Sequence, residues 1–211
     1  MESKHSKNHL YDNCFNSYIY NSIENNKLCL DVGCWTGNLG KKLTKEKKCI
    51  VDGIDINESA LLKAKKNGYQ KIYIYDLNNF KNTIQKKYDY IIFADVLEHT
   101  IDPEKVLKQF KQNLNKNGSV LISIPNVAFI QNRLNLLFGR FDYSSNGGVL
   151  DINHIRFFTK DSFIKHCVRT NFHLHKIYGY CQVRKRFFFL KILSKISDTL
   201  FSIQFIIILK K

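Results

Sequence analysis

Three glycines follow a carboxylate at close spacing near the start of the chain. The stretch reads Leu28-Cys-Leu-Asp31-Val-Gly33-Cys-Trp-Thr-Gly37-Asn-Leu-Gly40. An apolar run followed by glycines predicts a buried strand and a tight turn that opens a helix. Glycine at Gly33 and Gly37 lets the backbone come close to a ligand, where a Cβ would collide. This chemistry suits a nucleotide-type ligand at the carboxyl end of a parallel strand.

The loop differs from a phosphate-binding loop, because no Gly-Lys-Ser/Thr follows the glycines. Asp31, directly before the turn, would repel a pyrophosphate and attract an ammonium group. A second carboxylate, Asp55, ends the next apolar run 22 residues after Gly33. That is close to the ~20-residue spacing at which an acidic residue binds ribose hydroxyls. A carboxylate suits a diol because it accepts two charge-assisted hydrogen bonds.

A second set of chemical groups lies further along the chain. Asp95-Val-Leu-Glu98-His99 follows another apolar run, and His154 comes from a later, polar stretch. An unperturbed histidine titrates near pH ~6.5, so His99 or His154 can act as a general base at neutral pH. Two carboxylates and two imidazoles are also a ligand set for magnesium, manganese or zinc. We expect a base and no metal, and keep a divalent metal at Asp95, Glu98, His99 and His154 as the alternative.

Strands that alternate with helices must position these groups, and this alternation predicts right-handed crossovers and a parallel sheet. A leading amphipathic helix is predicted over Leu10 to Ile23. The next helices are predicted at 37–46, from the cap Asn57 to Asn67-Gly68, and at 103–114. A helix-like stretch covers 127–138, and Thr159 caps a further helix. The predicted strands are 27–32, 49–54, 71–75, 88–94, 119–124, 172–181 and 205–209.

Two later segments are set apart by composition. Residues 126–158 form a long, polar, glycine-rich insertion, which we expect to face the substrate. Residues 183–200 predict a C-terminal amphipathic helix docked on the domain; the alternative is a peripheral membrane contact through 184–200. Arginines in the insertion can bind a phosphate, sulfate or carboxylate on the acceptor. The candidate substrate-binding residues are Arg133, Arg140, Asp142 and Arg156.

Length and composition favour one globular domain over residues 1–211. The net charge is +15, but the lysines are scattered, so nucleic acid is kept as a partner that we do not favour. None of the six cysteines forms a Cys-x-x-Cys pair, which disfavours a zinc ribbon. The polar first ten residues do not resemble a signal peptide. We expect a cytoplasmic protein in a reducing environment. Any contact with a membrane is expected to be peripheral. The oligomeric state is left open.

Four motifs give a family resemblance: Asp31-Val-Gly-Cys-Trp-Thr-Gly, Gly53-Ile-Asp55, Asp76-Leu77 and Ala94-Asp95-Val-Leu-Glu98-His99. Together they resemble the class I S-adenosylmethionine-dependent methyltransferases, with residues 25–125 as the cofactor-binding core. The resemblance implies a Rossmann-like α/β fold with helices on both faces of the sheet. Its seven strands would be mostly parallel in the order 3-2-1-4-5-7-6, with the last strand antiparallel. It also implies S-adenosyl-L-methionine contacts at Asp31, Gly33, Cys34, Gly37, Asp55, Ile56, Asp76, Leu77 and Asp95.

A narrower resemblance comes from Ile124-Pro-Asn-Val-Ala, Arg133-Leu-Asn-Leu-Leu-Phe-Gly-Arg-Phe-Asp142-Tyr and Leu150-Asp-Ile-Asn-His154-Ile-Arg-Phe-Phe-Thr159. These stretches look like small bacterial-type methyltransferases met alongside surface-glycan biosynthesis. The implied reaction is in-line O-methylation of a sugar or of a nucleotide- or lipid-linked glycan, with Asp95, Glu98, His99 and His154 at the transfer site. One alternative is a metal-dependent RNA 2′-O-methyltransferase, since Asp95-x-x-Glu98-His99 with His154 resembles the Glu-x-x-Glu-His and His set of those enzymes. Another is a non-catalytic module that binds the cofactor.

Overall fold

The computed structural model describes residues 15–79, 81–180 and 196–211. Seven strands form one sheet in the order β3-β2-β1-β4-β5-β7-β6. The first five strands pair in parallel, and β7 is antiparallel to both β5 and β6. This confirms the predicted topology. The strands are β1 Leu28–Val32, β2 Ile50–Asp55, β3 Ile72–Ile74, β4 Tyr88–Ala94, β5 Leu114–Pro125, β6 His173–Tyr180 and β7 Gln204–Lys210.

Helices connect most of the strands, and short 3-10 turns follow β4 and the fourth helix. Local capping explains several helix starts. The Asn57 side chain accepts from the backbone N–H of Ala60, and Thr159 forms a reciprocal capping box with Ser162. The helices are α1 Ser17–Ser22, α2 Asn38–Lys47, α3 Glu58–Lys66, α4 Pro103–Phe110, α5 Ile130–Leu137, α6 Lys160–Val168 and α7 Asp198–Phe201, and the 3-10 turns are Leu97–His99 and Lys111–Asn113.

The buried residues of the central strands alternate between two hydrophobic clusters. Leu30 and Val32 of β1 belong to one cluster, and Cys29 belongs to the other. In β5, Val120 and Ile122 lie in the first cluster, whereas Leu121 lies in the second. Successive side chains of a strand point to opposite faces. The central strands of the sheet are therefore buried on both faces.

The helix predicted at 103–114 is shorter than expected, and β5 starts earlier than the predicted residue 119. α4 ends at Phe110 and β5 begins at Leu114. Asn113 explains the early end, because its side-chain Nδ2 donates to the carbonyls of Ile84 and Lys86 at 2.6 and 2.9 Å. These bonds to a neighbouring segment take the chain out of the helix.

Two further predicted helices begin later than expected. α5 begins at Ile130 because the Asn126 side chain fixes the preceding turn. This side chain accepts from the Ala128 N–H and donates to the Ser202 carbonyl. α1 begins at Ser17, where Asn16 accepts from two backbone N–H groups. Residues 10–14 of the predicted leading helix lie outside the described residues.

Most of the C-terminal helix predicted at 183–200 lies outside the described residues, which resume at Ile196. The described end contains the short helix α7. The proposed contact through 184–200 therefore stays a prediction. Among the described residues, no helix combines the length and the apolar character needed to cross a bilayer.

Candidate functional site

The glycine-rich loop joins β1 to α2 with three residues in the left-handed region, Gly33, Trp35 and Gly37. Gly33 has φ +73° and Gly37 has φ +80°, conformations that disfavour a Cβ. A Cβ on Gly33 would lie 2.5 Å from Val96 Cγ2, and one on Gly37 would lie 2.9 Å from the Ala64 Cα. The two glycines are therefore required by the turn and by its packing against the neighbouring loop and α3.

Asp31 lies near the end of β1, is buried, and accepts a 2.6 Å hydrogen bond from the Tyr69 hydroxyl. That hydroxyl in turn accepts from the Gly40 N–H at 3.1 Å. Burial raises the pKa of Asp31 to about 7; the Tyr69 bond opposes this rise and the nearby Asp55 carboxyl adds to it. Asp31 thus has a stronger tendency to hold a proton than an exposed carboxyl.

Asp55 is the last residue of β2 and is held by two backbone donors. Its Oδ2 accepts from the Trp35 N–H at 2.8 Å, and its Oδ1 accepts from the Asn57 N–H at 2.9 Å. Each carboxylate oxygen has more than one acceptor position. The side chain therefore has a fixed orientation and retains the capacity to accept from ribose hydroxyls.

The other predicted cofactor residues follow the same strand ends. Ile56, directly after Asp55, leaves 65% of its surface exposed. Asp76 is exposed and accepts from the Asn78 N–H, while Leu77 is partly buried against the core. Cys34 is buried in the glycine loop, and burial raises the pKa of its thiol. Ile56 and Asp76 are thus accessible to a ligand at this edge of the sheet.

Asp95 follows β4 with φ +56°. One of its oxygens accepts from Ser123 Oγ at 3.0 Å and from Gln204 Nε2 at 2.8 Å. Burial raises the pKa of the Asp95 carboxyl, and these two hydrogen bonds oppose the rise. The side chain is therefore tied to β5 and β7, and the 3-10 turn that follows carries Glu98 and His99.

Glu98 is 1% exposed. Within the described part of the chain, neither of its carboxyl oxygens has a hydrogen-bond partner. Burial raises its pKa well above the usual value, and the Asp95 charge adds to the rise. Its backbone carbonyl accepts from the N–H groups of Ile155 and Arg156, both at 3.0 Å. These two bonds hold the insertion against the 3-10 turn and bring His154 to Glu98.

The rings of His99 and His154 lie 4.8 Å apart between centroids, in an edge-to-face arrangement. Each Nδ1 lies 3.0 Å from a backbone carbonyl, that of Asn153 for His99 and that of Val149 for His154. A carbonyl can only accept, so each Nδ1 carries the hydrogen and each neutral ring presents its lone pair at Nε2. His154 Nε2 lies 4.0 Å from Glu98 Oε1, and burial lowers the pKa of His154.

One ligand atom from each of Glu98, His99 and His154 lies within 4.8 Å of the others. A carboxylate and two imidazoles fixed by backbone carbonyls are chemically suited to a divalent cation. The fourth residue of the alternative metal set, Asp95, is held by Ser123 and Gln204 and does not belong to this group. We call Glu98, His99 and His154 the Glu-His cluster.

The insertion residues predicted to bind substrate have separate local partners. The Arg133 Nε donates to the Ala128 carbonyl at 2.6 Å, and the Arg156 guanidinium donates to the Ile101 carbonyl. Arg140 and Asp142 are exposed. In the described ranges, no hydrogen bond or salt bridge joins these four side chains to one another. Their binding of an acceptor stays a prediction.

Two groups of residues were not anticipated from the sequence. Tyr69, directly after a helix-ending glycine, links Asp31 to Gly40. The rings of Phe141, Tyr143 and Phe157 cluster with centroid distances of 5.7 to 6.1 Å, and Phe157 lies 6.4 Å from the His154 ring. No periodicity marks these aromatic residues, because they lie in irregular backbone.

Comparison with known proteins agrees with this geometry. A family model described as a methyltransferase domain matches residues 10–177. The chain belongs to this family. The expected class I methyltransferase with S-adenosylmethionine as its cofactor is thereby confirmed at the level of the family. The comparisons do not show the expected association with glycan biosynthesis.

Relatives and solved structures cover different shares of the chain. Ubiquinone biosynthesis O-methyltransferase of Pasteurella multocida (strain Pm70) is 32% identical over 114 residues, 47% of each chain. The Histophilus somni (strain 2336) protein of the same name is 33% identical over 112 residues, 49% of this chain and 47% of its own. The chain therefore spans about half the length of the curated relatives it matches.

The fold is similar to solved S-adenosylmethionine-dependent methyltransferases over nearly the whole chain. The protein from Methanosarcina mazei gives a TM-score of 0.65 at 15% identity and covers 93% of this chain and 98% of its own. The protein from Archaeoglobus fulgidus gives 0.63 at 19% identity, with 92% and 90% covered. At these identities the likeness shows the shared fold.

Proposed function

We propose that the chain transfers a methyl group from S-adenosylmethionine to a hydroxyl oxygen of its acceptor. The observation that carries this proposal is the Glu-His cluster, in which a buried carboxyl without a hydrogen-bond partner lies beside a buried imidazole with a free Nε2 lone pair. A hydroxyl must lose its proton as the new O–C bond forms, and this cluster would take it. When bound, the cofactor supplies an activated methyl group on a sulfonium.

The cofactor would lie at the carboxyl ends of β1 to β4. Asp55 accepts from its ribose hydroxyls, and Asp31 faces its ammonium group, whose positive charge favours the ionised form of this carboxyl. Gly33, Gly37 and Cys34 form the loop beneath it. Ile56 and Leu77 pack against its rings, and Asp76 accepts from the adenine amino group. Asp95 lies between the cofactor and the transfer site.

His154 is the residue that we assign as the base. Burial lowers its pKa, so its ring is neutral at neutral pH, and its Nδ1 hydrogen is committed to the Val149 carbonyl. The acceptor hydroxyl proton moves to Nε2 as the oxygen attacks the methyl carbon and the S–C bond breaks. Glu98 Oε1 lies 4.0 Å from Nε2, and the positive charge that forms on the imidazole would favour the ionised form of this carboxyl. His99 packs against His154 and completes the cluster.

We infer that the acceptor carries a ring next to its hydroxyl. The aromatic cluster of Phe141, Tyr143 and Phe157 lies beside His154, and aromatic faces pack against flat rings. The names of the relatives, which refer to ubiquinone biosynthesis, support phenol- or quinol-type rings as the first class to assay. A sugar or a nucleotide- or lipid-linked glycan, expected from the sequence, is the second class, because aromatic faces also pack against sugars.

A metal-assisted reaction is the second candidate, favoured by the three ligand atoms within 4.8 Å of one another. Glu98, His99 and His154 would hold the cation, which would act as a Lewis acid on the acceptor hydroxyl. A cation at this cluster, together with the net charge of +15 on the chain, would also suit an RNA acceptor that offers a 2′-hydroxyl. RNA methylation would require the cation and would weaken strongly with salt.

Calorimetry with the demethylated cofactor product tests the cofactor site, and methyl transfer to phenols, sugar nucleotides and RNA then tests the acceptor. Asp55→Ala should weaken cofactor binding about 10- to 100-fold, since hydrogen bonds to a charged group contribute about 1.5–3 kcal/mol. Asp161→Ala, a change at an exposed residue of α6, is the matched control. Wild-type protein that does not bind the cofactor would contradict the proposal. Cofactor binding without transfer to any acceptor class would favour the non-catalytic module.

A further inference from the structure

Helix α5 in the insertion has its polar side turned inward and its apolar side turned outward. Its buried residue is Asn132, whose Nδ2 donates to the Val127 carbonyl at 3.1 Å. Leu134, Leu136 and Leu137 are exposed, and Leu137 and Phe138 leave 76% and 74% of their surfaces uncovered. A surface helix of a protein surrounded by water normally has the opposite arrangement. The outward leucines therefore indicate a surface that is covered by something else.

Exposed apolar residues continue along the chain beyond the helix. Phe141 and Tyr143 are exposed as well, and they belong to the aromatic cluster that leads to His154. We call Leu134, Leu136, Leu137, Phe138, Phe141 and Tyr143 the outer apolar surface. Contiguous exposed apolar patches mark contacts with a protein or a membrane.

Positive charge exceeds negative charge along residues 133–143, in which Asp142 is the acidic residue. Arg133 and Arg140 flank the outward leucines, and Arg156 lies beyond them in the insertion; all three are exposed. No salt bridge found among residues 15–79, 81–180 and 196–211 includes any of these three arginines. Apolar side chains together with arginine are the chemistry of a helix that lies in the headgroup region of an anionic bilayer.

The backbone holds this surface in place. The two ends of the insertion are paired, with the Val127 N–H donating to the Phe158 carbonyl at 2.9 Å. Gly139 and Gly148, at φ +71° and +94°, form turns within it, and a Cβ at either would meet no atom within 4 Å. The outer apolar surface thus belongs to a closed loop anchored to the sheet, and its outer side is open.

We propose that the outer apolar surface docks on the surface of an anionic lipid bilayer and presents the Glu-His cluster to acceptors held in that bilayer. The leucines and aromatic residues enter the headgroup region, and the arginines pair with anionic headgroups. A ring-bearing acceptor with a lipid tail would then approach His154 along Phe141, Tyr143 and Phe157.

Sedimentation with vesicles tests this proposal and needs neither cofactor nor acceptor, so its result is separate from that of the methyl-transfer assay. The full chain should bind vesicles of phosphatidylcholine with phosphatidylglycerol more tightly than vesicles of phosphatidylcholine alone. The double variant Leu137→Ser/Phe138→Ser should bind the anionic vesicles about tenfold more weakly or worse. Leu62→Ser/Val168→Ser, which changes two exposed residues of α3 and α6, should bind like the wild type.

Each of the following results would overturn the proposal. Wild-type protein that stays in the supernatant, or a Leu137→Ser/Phe138→Ser protein that binds unchanged, would show that the surface does not meet a bilayer. Binding kept in that variant but lost on changing Phe187, Phe188 and Phe189 to Ser would assign the contact to the C-terminal segment. A wild-type dimer in light scattering that the double variant converts to monomer, without vesicle binding, would assign the surface to a second copy of the chain.

Discussion

Glu98 Oε1 and His154 Nε2 lie 4.0 Å apart in a buried part of the site, where neither carboxyl oxygen of Glu98 has a hydrogen-bond partner among the described residues. Burial raises the pKa of Glu98 and lowers that of His154. Both shifts favour the neutral forms, so the two groups are placed to share a proton or a cation that arrives between them. Perturbed pairs of this kind are typical of sites for proton transfer.

Replacement of His154 should change the pH dependence of methyl transfer. Because burial lowers the His154 pKa, the wild-type kcat/KM should rise with pH through a midpoint below about 6.5, the usual histidine value. His154→Gln should lower kcat by about 10²- to 10⁴-fold, the usual loss of a general base, and remove this limb of the profile. His99→Gln should keep the limb. A limb that persists in His154→Gln would exclude His154 as the base.

Removal of divalent metal separates the base from the metal-assisted reaction. We expect EDTA to leave both cofactor affinity and the methyl-transfer rate unchanged, because His154 needs no cation to accept a proton. Calorimetry and a rate assay with and without EDTA measure the two quantities. If the rate fell and Mg²⁺ or Mn²⁺ restored it in the wild type but not in Glu98→Gln, the Glu-His cluster would be a metal site.

The sheet could be predicted because several of its strands, such as β1, β2 and β4, are mainly apolar runs with a carboxylate at or beside their carboxyl ends. Tyr88–Ala94 was predicted to the residue, and the order of all seven strands followed from the family resemblance. The extent of α4 and β5 could not be predicted, since the bonds of Asn113 to Ile84 and Lys86 join segments far apart in sequence. Side-chain bonds across the fold leave no local pattern.

The candidate site was also predictable only in part. Asp31, Asp55 and the residues after β4 lie at or just after strand ends, so the parallel sheet brings them to one edge. Tyr69 could not be assigned from the sequence, because its role depends on Asp31 and on the small residues that make room for its ring. A Cβ on Gly40 would clash with that ring, and one on Gly53 would lie 2.7 Å from it. Glycines that were interpreted as a loop for a ligand thus also serve the packing of this tyrosine.

Tyr69→Phe should destabilise the fold. The tyrosine hydroxyl donates to Asp31 and accepts from the Gly40 N–H, and the side chain is buried. A phenylalanine would leave both partners unsatisfied, at about 1–3 kcal/mol for each buried group. Urea unfolding should show a lower free energy of unfolding, whereas Tyr143→Phe, at an exposed ring, should show no change. Equal stability of the two variants would mean that the Asp31–Tyr69 bond contributes nothing.

Asp31 should make the stability of the protein depend on pH. Burial raises its pKa from 3.8 to about 7, so between these values the folded chain holds a proton that the unfolded chain has released. The folded state then binds more protons, and the free energy of unfolding falls as pH rises through this window.

Asp31→Asn removes this titration, and its amide oxygen can still accept from Tyr69. A shift of about three pH units corresponds to roughly 4 kcal/mol, so the wild type should lose up to that amount relative to Asp31→Asn between about pH 4 and pH 7. Urea unfolding of both proteins without cofactor, at several pH values in this window, measures the difference. Glu98 and Asp95, whose pKa values burial also raises, are present in both proteins, so their contributions cancel. Parallel pH curves for the two proteins would show that Asp31 is ionised in the folded chain at low pH, and that its carboxylate is stabilised there without a bound ammonium group.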